Sequence, residues 1–552
     1  MATMNKKRQS VYTDTHTTVN HHGSVVHELS SLETLFSKVL GSFFGESTHY
    51  EKRTADKDFK ELQNLISQIP DEDAEYALKI ARIGREYNMI QFPLAVLTAC
   101  FNDQRFKGED FIDEVTGRNK LQTYSDYIVR RGKDILDIVA MQMNVYGFDV
   151  KSKGRGKNKK NFRDQPLPMQ LRKALKWKLE TFNEYQLSKA LGESREVSMA
   201  DVIKLLHPNP SKARVSRDFY KKIIEGKVQF GGSEETKQVQ SELSKARNKN
   251  SKSTMEDVKK SIDTSSVMAI VKNLVALERA GLFNDKEAVK SICSRLTDAE
   301  QVKKSRLLPF RFYSAYVEVE ALYSRGEGKR KILDALVEAM DLSIYNLQDI
   351  EGFNAILIDR SGSMRHPISS MSSVTADVVS CILGAICFKK GTADVYVFAD
   401  RCHEVTGISR KSTVMDITKA IMSVNVGGCT YLNEALDYIG RQGTKYDSLI
   451  ILSDNDCYSS QNGSFRFHSW GSYGTDDNVN ALIKRGTFKK VFINNMLGNN
   501  FSIVNTDDFR KNLITGFSER VIDVINVYAS LGTGARDIRV VIDSIMETLP
   551  TR

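Results

Sequence analysis

Residues 355–364 read AILIDRSGSM, an apolar run that ends in an aspartate and two nearby serines. Three more apolar runs follow it, and helical segments lie between the runs. The runs are 395–398 (VYVF), 449–452 (LIIL) and 491–493 (VFI), and the clearest helical segments are 374–388 and 415–422. Buried strands that alternate with helices predict a mostly parallel sheet covered on both faces. Residues 351–552 are therefore predicted to form a doubly wound, Rossmann-like α/β domain.

The preceding residues have a different, helical periodicity. Apolar residues recur at i, i+3, i+4, i+7 and i+8 from Leu32 to Leu40, and shorter stripes of this kind follow. The shorter stripes lie at 62–66, 76–83, 111–115, 171–179 and 271–275. Many short amphipathic helices in series predict a stacked all-α array. We assign it to residues 20–350, after a flexible N-terminus at 1–19.

Two polar stretches interrupt the predicted helices. Residues 151–160 (KSKGRGKNKK) contain no apolar side chain, and residues 231–263 are polar and rich in lysine. Such stretches bury too little apolar surface to fold by themselves. The second is predicted to be either a surface insertion rich in helix or a mobile excursion.

The bulk composition indicates an intracellular protein that binds polyanions. The 552 residues include 79 Lys and Arg against 69 Asp and Glu, which gives a net charge of +10. A basic excess favours phosphate-bearing partners, although a merely soluble basic protein would have the same excess. The longest apolar run, 378–388, is about half the length that a membrane span needs. The first 20 residues contain no apolar signal core, and the seven cysteines form no CxxC pair. We therefore expect reduced thiols, a cytoplasmic location and no membrane partner.

Side chains with oxygen ligands follow the predicted strands. Asp359, Ser361 and Ser363 come after the first strand, Asp454 comes after the third, and Thr430 lies in a glycine turn between them. Ligands of parallel sheets bind at the carboxyl ends of the strands, and Mg²⁺ prefers oxygen ligands. The pattern predicts a divalent cation, Mg²⁺, at these five side chains. The alternative is a serine-rich turn that caps the following helix.

Other chemistry at this edge is less well supported. Cys402, His403, Cys429 and Cys457 also fall on loops after strands, but their spacing is not that of a zinc finger. A nuclease with a metal-bound water would need more carboxylates than this edge offers. The chain has no nucleophile–base pair and no phosphate-binding loop motif, so we expect no enzymatic activity.

The ordered metal set resembles the metal-ion-dependent adhesion site of von Willebrand A domains. One cysteine more than usual precedes the threonine. Five earlier segments resemble, in order, motifs of the TROVE module of the Ro autoantigen family. They are 41–50 (GSFFGESTHY), 171–174 (LRKA), 201–208 (DVIKLLHP), 272–274 (KNL) and 306–310 (RLLPF). The resemblance covers roughly residue 20 to the C-terminus, and the two polar insertions depart from the compact family pattern.

This resemblance implies a monomeric ring of HEAT-like helical repeats closed by the von Willebrand A domain. In the family, single-stranded 3′ ends of misfolded RNAs enter a basic hole, and small noncoding Y-type RNAs bind the outer rim. The implied role is noncoding-RNA quality control as a ribonucleoprotein component, without catalysis, and an exoribonuclease is a candidate protein partner. The alternative is a protein-interaction scaffold in which the metal binds a partner's carboxylate.

Local chemistry and the resemblance together nominate the RNA contacts. A basic helix follows Leu171, and a histidine precedes Pro208 at the end of another helix. Basic side chains neutralise phosphates, and a histidine can donate to a phosphate or stack on a base. The predicted RNA-binding residues are Arg172, Lys173, Lys176, Lys189, His207, Lys272 and Arg306.

Overall fold

The computed structural model describes most of the chain. The described residues are 17–46, 53–108, 111–145, 167–191, 197–228, 259, 261–263, 265–323, 325–345, 347–369, 372, 374–458, 475–518, 520–531 and 537–550. The predicted insertion at 151–160 lies outside them, and so does the one at 231–263 except for Lys259 and residues 261–263.

The N-terminal region is a stack of helices, as its periodicity predicts. Helices α1 to α15 are, in order, Ser31–Gly41, Ala55–Gln68, Glu75–Glu86, Gln91–Asn102, Lys120–Ile128, Gly132–Val145, Met169–Thr181, Glu184–Ser188, Met199–Leu206, Arg217–Ile224, Val267–Arg279, Lys286–Leu296, Ala299–Ser305, Pro309–Glu320 and Glu327–Ser343. Helix α1 begins at a capping box, in which Ser30 and Glu33 each bond the other's backbone N–H. Its apolar stripe is buried from Leu32 to Leu40.

The helical fragment predicted at 111–115 is wrong. Residues 113–117 form a turn, in which Asp113 Oδ1 accepts the backbone N–H of Thr116 at 2.8 Å and Gly117 adopts φ +64°. Ile112 pairs with Asn119 as an isolated β-bridge across this turn. Val115, which the spacing places in an apolar stripe, is 95% exposed. The Asp113 side chain competes with helical hydrogen bonding, which apolar spacing alone does not reveal.

The C-terminal region is a doubly wound α/β domain, as predicted. Strands β1 to β9 are Thr17–Val19, Val25–Glu28, Ile350–Asp359, Gly391–Phe398, Cys402–Glu404, Tyr446–Ser453, Phe488–Asn495, Phe501–Ser502 and Lys511–Thr515. The helices α16 to α21 are Ala376–Lys390, Val414–Ser423, Leu432–Arg441, Thr475–Lys484, Val521–Ser530 and Ile538–Thr548. None of the described helices is long and apolar enough to cross a lipid bilayer.

The main sheet has the strand order β5-β4-β3-β6-β7-β9, and only β5 is antiparallel to its neighbour. Ile358 is opposite Leu452, so β3 and β6 end at the same edge. Successive residues face opposite layers: Ile358 joins the core that the sheet shares with the helical array, and Leu357 joins the core on the other face. Both faces of the sheet are therefore buried.

An antiparallel hairpin of residues 17–28 packs with the C-terminal domain. Strand β2 pairs with β8, with His27 opposite Ser502, and Val26 is buried in the second sheet core. The predicted flexible segment 1–19 thus ends in a strand, Thr17–Val19, and the remainder of that segment lies outside the described residues.

Both ends of the helical array pack against the C-terminal domain. Tyr76 and Lys79 of α3 bond the two carboxylate oxygens of Asp543 in α21, at 2.7 and 2.6 Å. At the other end, Asp341 of α15 accepts the backbone N–H of Val414 at 2.8 Å and pairs with Lys389 at 3.1 Å. The C-terminal domain therefore closes the array into a ring, and one contiguous core runs through both regions.

A buried ion pair joins α3 to α6. Asp134 is fully buried and accepts from Arg85 Nη2 at 2.7 Å and from two backbone N–H groups, those of Arg130 and Arg131. Burial lowers the pKa of the Arg85 guanidinium to about 10, and the negative charge of Asp134 opposes that shift. The pair is stable because every charged oxygen has a donor.

We predict that Asp134→Ala lowers the free energy of unfolding by about 3–5 kcal/mol, because it leaves the buried Arg85 charge without its partner. Urea denaturation followed by circular dichroism measures the change. Glu327→Ala removes an exposed i, i+4 pair with Lys331 and should have no measurable effect. Equal stability of the Asp134 variant and the parent would show that this ion pair does not hold the array together.

Candidate functional site

Four of the five predicted metal ligands are connected at the carboxyl edge of the sheet. Asp359 ends β3, and its two oxygens accept from Ser361 N at 2.8 Å and from Ser453 Oγ at 2.6 Å. Ser361 Oγ and Ser363 Oγ lie 3.2 Å apart, and the Ser363 hydroxyl is close enough to Asp454, which directly follows β6, to lower its pKa. All of these side chains are buried. The predicted convergence of β3 and β6 therefore brings two carboxylates and two hydroxyls together.

The electrostatics of this cluster fit a cation. Burial raises the pKa of Asp454, and the nearby negative charge of Asp359 raises it further. Burial likewise raises the pKa of Asp359, although hydrogen bonds from Ser453 and Ser361 oppose the shift. Asp454 Oδ2 is buried and has no hydrogen-bond partner. A divalent cation would supply the positive charge and the contact that this oxygen lacks.

The glycine turn approaches the same cluster through its backbone. Gly428 O accepts from Gly362 N at 2.9 Å, and Thr430 is 2% exposed, with its carbonyl accepting from Tyr458 N at 3.0 Å. A Cβ at position 427 would lie 2.5 Å from Asp400 Cγ, so a larger residue there would displace the Asp400 carboxylate. Backbone contacts thus hold the Thr430 loop against the loops that follow β3 and β6, and Thr430 itself is buried.

Sequence reasoning missed Asp400, which organises the glycine turn. Its Oδ1 accepts the backbone N–H of Gly427 at 2.6 Å, and this bond lowers the pKa of the Asp400 carboxyl. The available signal was its position two residues after β4, at the same carboxyl edge as Asp359.

The N-terminal hairpin covers the loop that follows Asp454, which sequence reasoning also missed. His21 Nδ1 lies 2.7 Å from the buried Asp456 Oδ2, and Asn20 Nδ2 donates to Cys457 O at 2.8 Å. The His22 ring stacks on Tyr458, with 3.9 Å between centroids. Residues 20–23 read NHHG, a turn signal that was available in the sequence. The hairpin holds the second carboxylate loop in place.

The cysteines do not build an alternative site. All seven cysteines are free thiols. Within the described ranges, no three His, Cys, Asp or Glu side chains are grouped so that they could hold a metal ion, and this includes Cys402, His403, Cys429 and Cys457. The candidate cation set is therefore the one built from carboxylates and hydroxyls.

A basic surface lies on α7, in the helical array. Leu171 and Leu175 are buried, Lys173 is exposed, and Arg172 and Lys176 are partly exposed. Among the described residues, none of these three cations forms an ion pair with a carboxylate. Burying the leucines thus leaves a row of positive charge directed to solvent.

His207 lies on a loop that the C-terminal end of α7 holds. It ends α9 in the left-handed conformation, with φ +47°, and its side chain is exposed. Glu180, at the end of α7, holds this loop with two hydrogen bonds. Its carboxylate accepts the backbone N–H of Asn209 at 2.6 Å, and its backbone carbonyl accepts that of Arg214 at 3.0 Å. The loop also exposes Lys212, Arg214 and Arg217, which sequence reasoning missed although the basic run KARVSR was readable.

The remaining predicted RNA contacts are distributed over other elements. Lys189 follows α8, and its ammonium lies 4.1 Å from the centroid of the Tyr185 ring. Lys272 is exposed on α11. Arg306 ends α13 with φ +52° and, together with Lys303, lines a cavity of about 410 Å³ where α3, α13, α15, α20 and α21 meet. Its guanidinium is 3.9 Å from Glu86 across this cavity. The seven residues therefore do not form one patch.

Comparison with known proteins agrees with this architecture. The family model of the TROVE domain matches residues 242–359, and that of the Ro60 vWA domain matches residues 355–529. The chain is 24% identical over 213 residues to RNA-binding protein RO60 of Deinococcus radiodurans, which is 36% of this chain and 39% of that protein. It is 22% identical over 271 residues to RNA-binding protein RO60 of Caenorhabditis elegans, which is 48% of this chain and 40% of that protein. The matched region thus spans about two fifths of the length of these relatives.

The fold is also that of a solved structure. The crystal structure of the Deinococcus radiodurans RO (RSR) protein superposes with a TM-score of 0.53 over 94% of this chain and 99% of that one, at 16% sequence identity. The two family domains occur in the order that the motifs predict, and the fold matches over nearly the whole length of the chain. The chain contains, in this order, a match to the TROVE domain and a match to the Ro60 vWA domain, within the fold of the solved Deinococcus radiodurans RO protein.

Proposed function

We propose that this protein binds RNA through the basic surface of α7 and the loop at 207–217. The observation that carries the proposal is a set of exposed cations without carboxylate partners in the described structure, on elements that Glu180 fastens together. Both curated relatives are named RNA-binding proteins.

The chemistry of this surface suits a phosphate backbone. Lys173 and Lys176 lie on one exposed side of α7, and Arg214 extends the positive charge onto the adjoining loop. Cations that form no ion pair in the free protein can neutralise phosphates without first breaking such a pair, and the counterions released from the RNA drive binding. His207 adds an exposed ring that can donate to a phosphate or stack on a base.

We further propose a role in noncoding-RNA quality control, with Y-type RNAs and single-stranded 3′ ends of misfolded RNAs as ligands. The support is the family resemblance together with Lys303 and Arg306, which line a cavity between helices of the array and of the C-terminal domain. On this proposal the protein acts without catalysis as a monomeric cytoplasmic ring, and it presents RNA ends to an exoribonuclease.

A second proposal concerns the carboxyl edge of the sheet. We infer that Asp359, Ser361, Ser363, Thr430 and Asp454 hold a divalent cation, Mg²⁺, and the unpartnered Asp454 Oδ2 is the specific observation in favour. A bound cation would offer an open coordination position to a partner's carboxylate. The chain's own residues neutralise that cation and hold the loops around it, which suits a protein-interaction site.

We predict that Lys173→Ala, Lys176→Ala and His207→Asn combined weaken RNA binding and flatten its salt dependence. Asparagine is chosen at 207 because it tolerates the left-handed conformation better than alanine does. For single-stranded RNA, the slope of log affinity against log salt should fall by roughly 0.7 for each phosphate that is no longer neutralised. Fluorescence anisotropy with a labelled RNA over a salt series measures both quantities.

The matched control is Lys222→Ala combined with Lys331→Ala, which removes two exposed lysines that are already paired with Asp218 and Glu327. This variant loses two lysine charges, as the α7 variant does, but its slope of log affinity against log salt should equal that of the parent. An unchanged slope in a well-folded α7 variant would place the RNA surface elsewhere.

We also predict that an RNA hairpin with a single-stranded 3′ tail binds more tightly than the same hairpin with a blunt end. A flexible single-stranded tail can enter the cavity that Lys303 and Arg306 line, whereas a duplex end keeps its bases paired and stacked. Competition between the two RNAs at fixed salt is the measurement. Equal affinity would remove the proposal that 3′ ends are recognised, while leaving the α7 surface intact.

At the carboxyl edge of the sheet, we predict that Asp454→Asn has opposite effects on thermal stability in the absence and in the presence of Mg²⁺. Because folding raises the pKa of Asp454, its charged form disfavours the folded state, and this cost grows as pH rises through the folded-state pKa. In EDTA at neutral pH the variant should therefore melt at the same temperature as the parent or higher. In Mg²⁺ the parent should gain about 2.7 kcal/mol at 100 times its Kd, and the variant should gain nothing.

The control is Asp507→Asn, which neutralises an exposed aspartate of the same domain and should preserve the Mg²⁺ effect. A Mg²⁺-dependent stabilisation that persists in Asp454→Asn would mean that the serines and aspartates form only a capped turn.

A further inference from the structure

Helix α7 carries an exposed tryptophan among its lysines. Met169, Lys173 and Trp177 occupy successive turns of one solvent-facing side, and Met169 is 65% and Trp177 43% exposed. The exposed part of these two side chains lies outside the core, because Leu171 and Leu175 bury the other side of the helix. The sequence contains only one other tryptophan, Trp470, which lies outside the described residues.

The Trp177 indole is held in place by its neighbours. Its Nε1 donates to Asp126 Oδ1 at 3.1 Å, and the Arg118 guanidinium lies 4.5 Å from the ring centroid. The backbone carbonyl of Asp126 also accepts from Lys178 Nζ at 2.8 Å, which fastens the same turn of α7 to α5. The ring is therefore a preorganised platform, and ordering it on binding costs little conformational entropy.

The residues around Trp177 indicate which class of partner this surface can bind. Lys173 and Lys176 form no ion pair in the described part of the chain, so the charge beside the ring is suited to an anionic chain. Aromatic side chains alternating with cations are typical of surfaces that bind single-stranded nucleic acid, where bases stack on the rings and phosphates meet the cations. A duplex keeps its bases stacked on one another and offers no free base face to such a ring.

We propose that Trp177 is a stacking platform for an unpaired RNA base, with Lys173 and Lys176 contacting the adjacent phosphates. This subsite rests on the proposed RNA-binding function and makes it specific: the α7 surface takes single-stranded nucleotides. Arg118 reinforces the platform by holding the ring, and its guanidinium is itself held by Asp126 at 3.7 Å.

The first test is the affinity of the full-length protein for a labelled single-stranded oligoadenylate and for an abasic oligomer of equal length. Trp177→Ala should weaken oligoadenylate binding by roughly 5- to 150-fold, the range of one base–aromatic stack. It should leave abasic binding and the salt slope unchanged, because the cations that meet the phosphates are all retained. Trp177→Phe, which keeps an aromatic face, should retain most of the affinity even if the alanine variant is less stable.

The second test is fluorescence quenching. In a Trp470→Phe background Trp177 is the only tryptophan, and oligoadenylate should quench its emission whereas the abasic oligomer should not. The matched control is Tyr323→Ala, which removes a fully exposed aromatic ring from another part of the helical array and should not change either affinity.

The results of these tests distinguish failure of the Trp177 stacking subsite from failure of the proposed RNA-binding function. Parental oligoadenylate affinity in a folded Trp177→Ala variant overturns stacking but leaves RNA binding by the cations in place. An equal loss for both oligomers also overturns stacking, because it assigns Trp177 to the packing of α7. No binding of either oligomer by the parent overturns the subsite and the proposed function together.

Discussion

Helix α1 approaches the carboxyl edge of the sheet so closely that only glycine fits at position 41. A Cβ on Gly41 would lie 2.5 Å from Thr515 Oγ1 and 2.9 Å from Asn495 O, at the ends of two sheet strands. On the facing loop, Gly498 adopts φ +64°, and Ser42 Oγ donates to Leu497 O at 3.1 Å. This contact fixes where the helical array begins relative to the strand ends that carry the candidate cation site.

The position of the RNA surface depends on the same contact through a series of packed helices. Helix α1 packs on α3, α3 packs on α5, and α5 packs on α7. Asp126 of α5 then orients Trp177 and Lys178, while α21 clamps α3 from the other side through Asp543. Because each interface buries apolar side chains of one contiguous core, a shift at α1 would disturb every later interface.

Local sequence patterns predicted the elements that a single periodicity defines, and failed where the partner is distant in sequence. Asp359 and Asp454 were predictable because parallel strands end at a common edge, and the buried stripe of α7 was predictable from leucine spacing. The hairpin contact between His21 and Asp456 joins residues 435 positions apart, which no local pattern encodes. The turn at Asp113 was missed because a side-chain hydrogen bond, and not apolar spacing, determines its backbone. Gly41 was recognised only as part of a motif, since its role depends on a strand that lies near the other end of the chain.

Both candidate sites depart from what folding alone favours. At the sheet edge, burial raises the pKa of both Asp359 and Asp454, and the charge of Asp359 raises that of Asp454 further, so an amide in place of Asp454 would remove this cost of ionisation. On α7, an indole that is 43% exposed lies between lysines, outside the buried stripe of the helix. Residues that cost stability or contribute none to the core are expected where a ligand later supplies the missing interaction. In the carboxylate cluster the missing interaction is positive charge, and on α7 it is a stacked base with its phosphates. The two sites therefore call for ligands of opposite charge, a cation at the edge of the sheet and a polyanion on the helices.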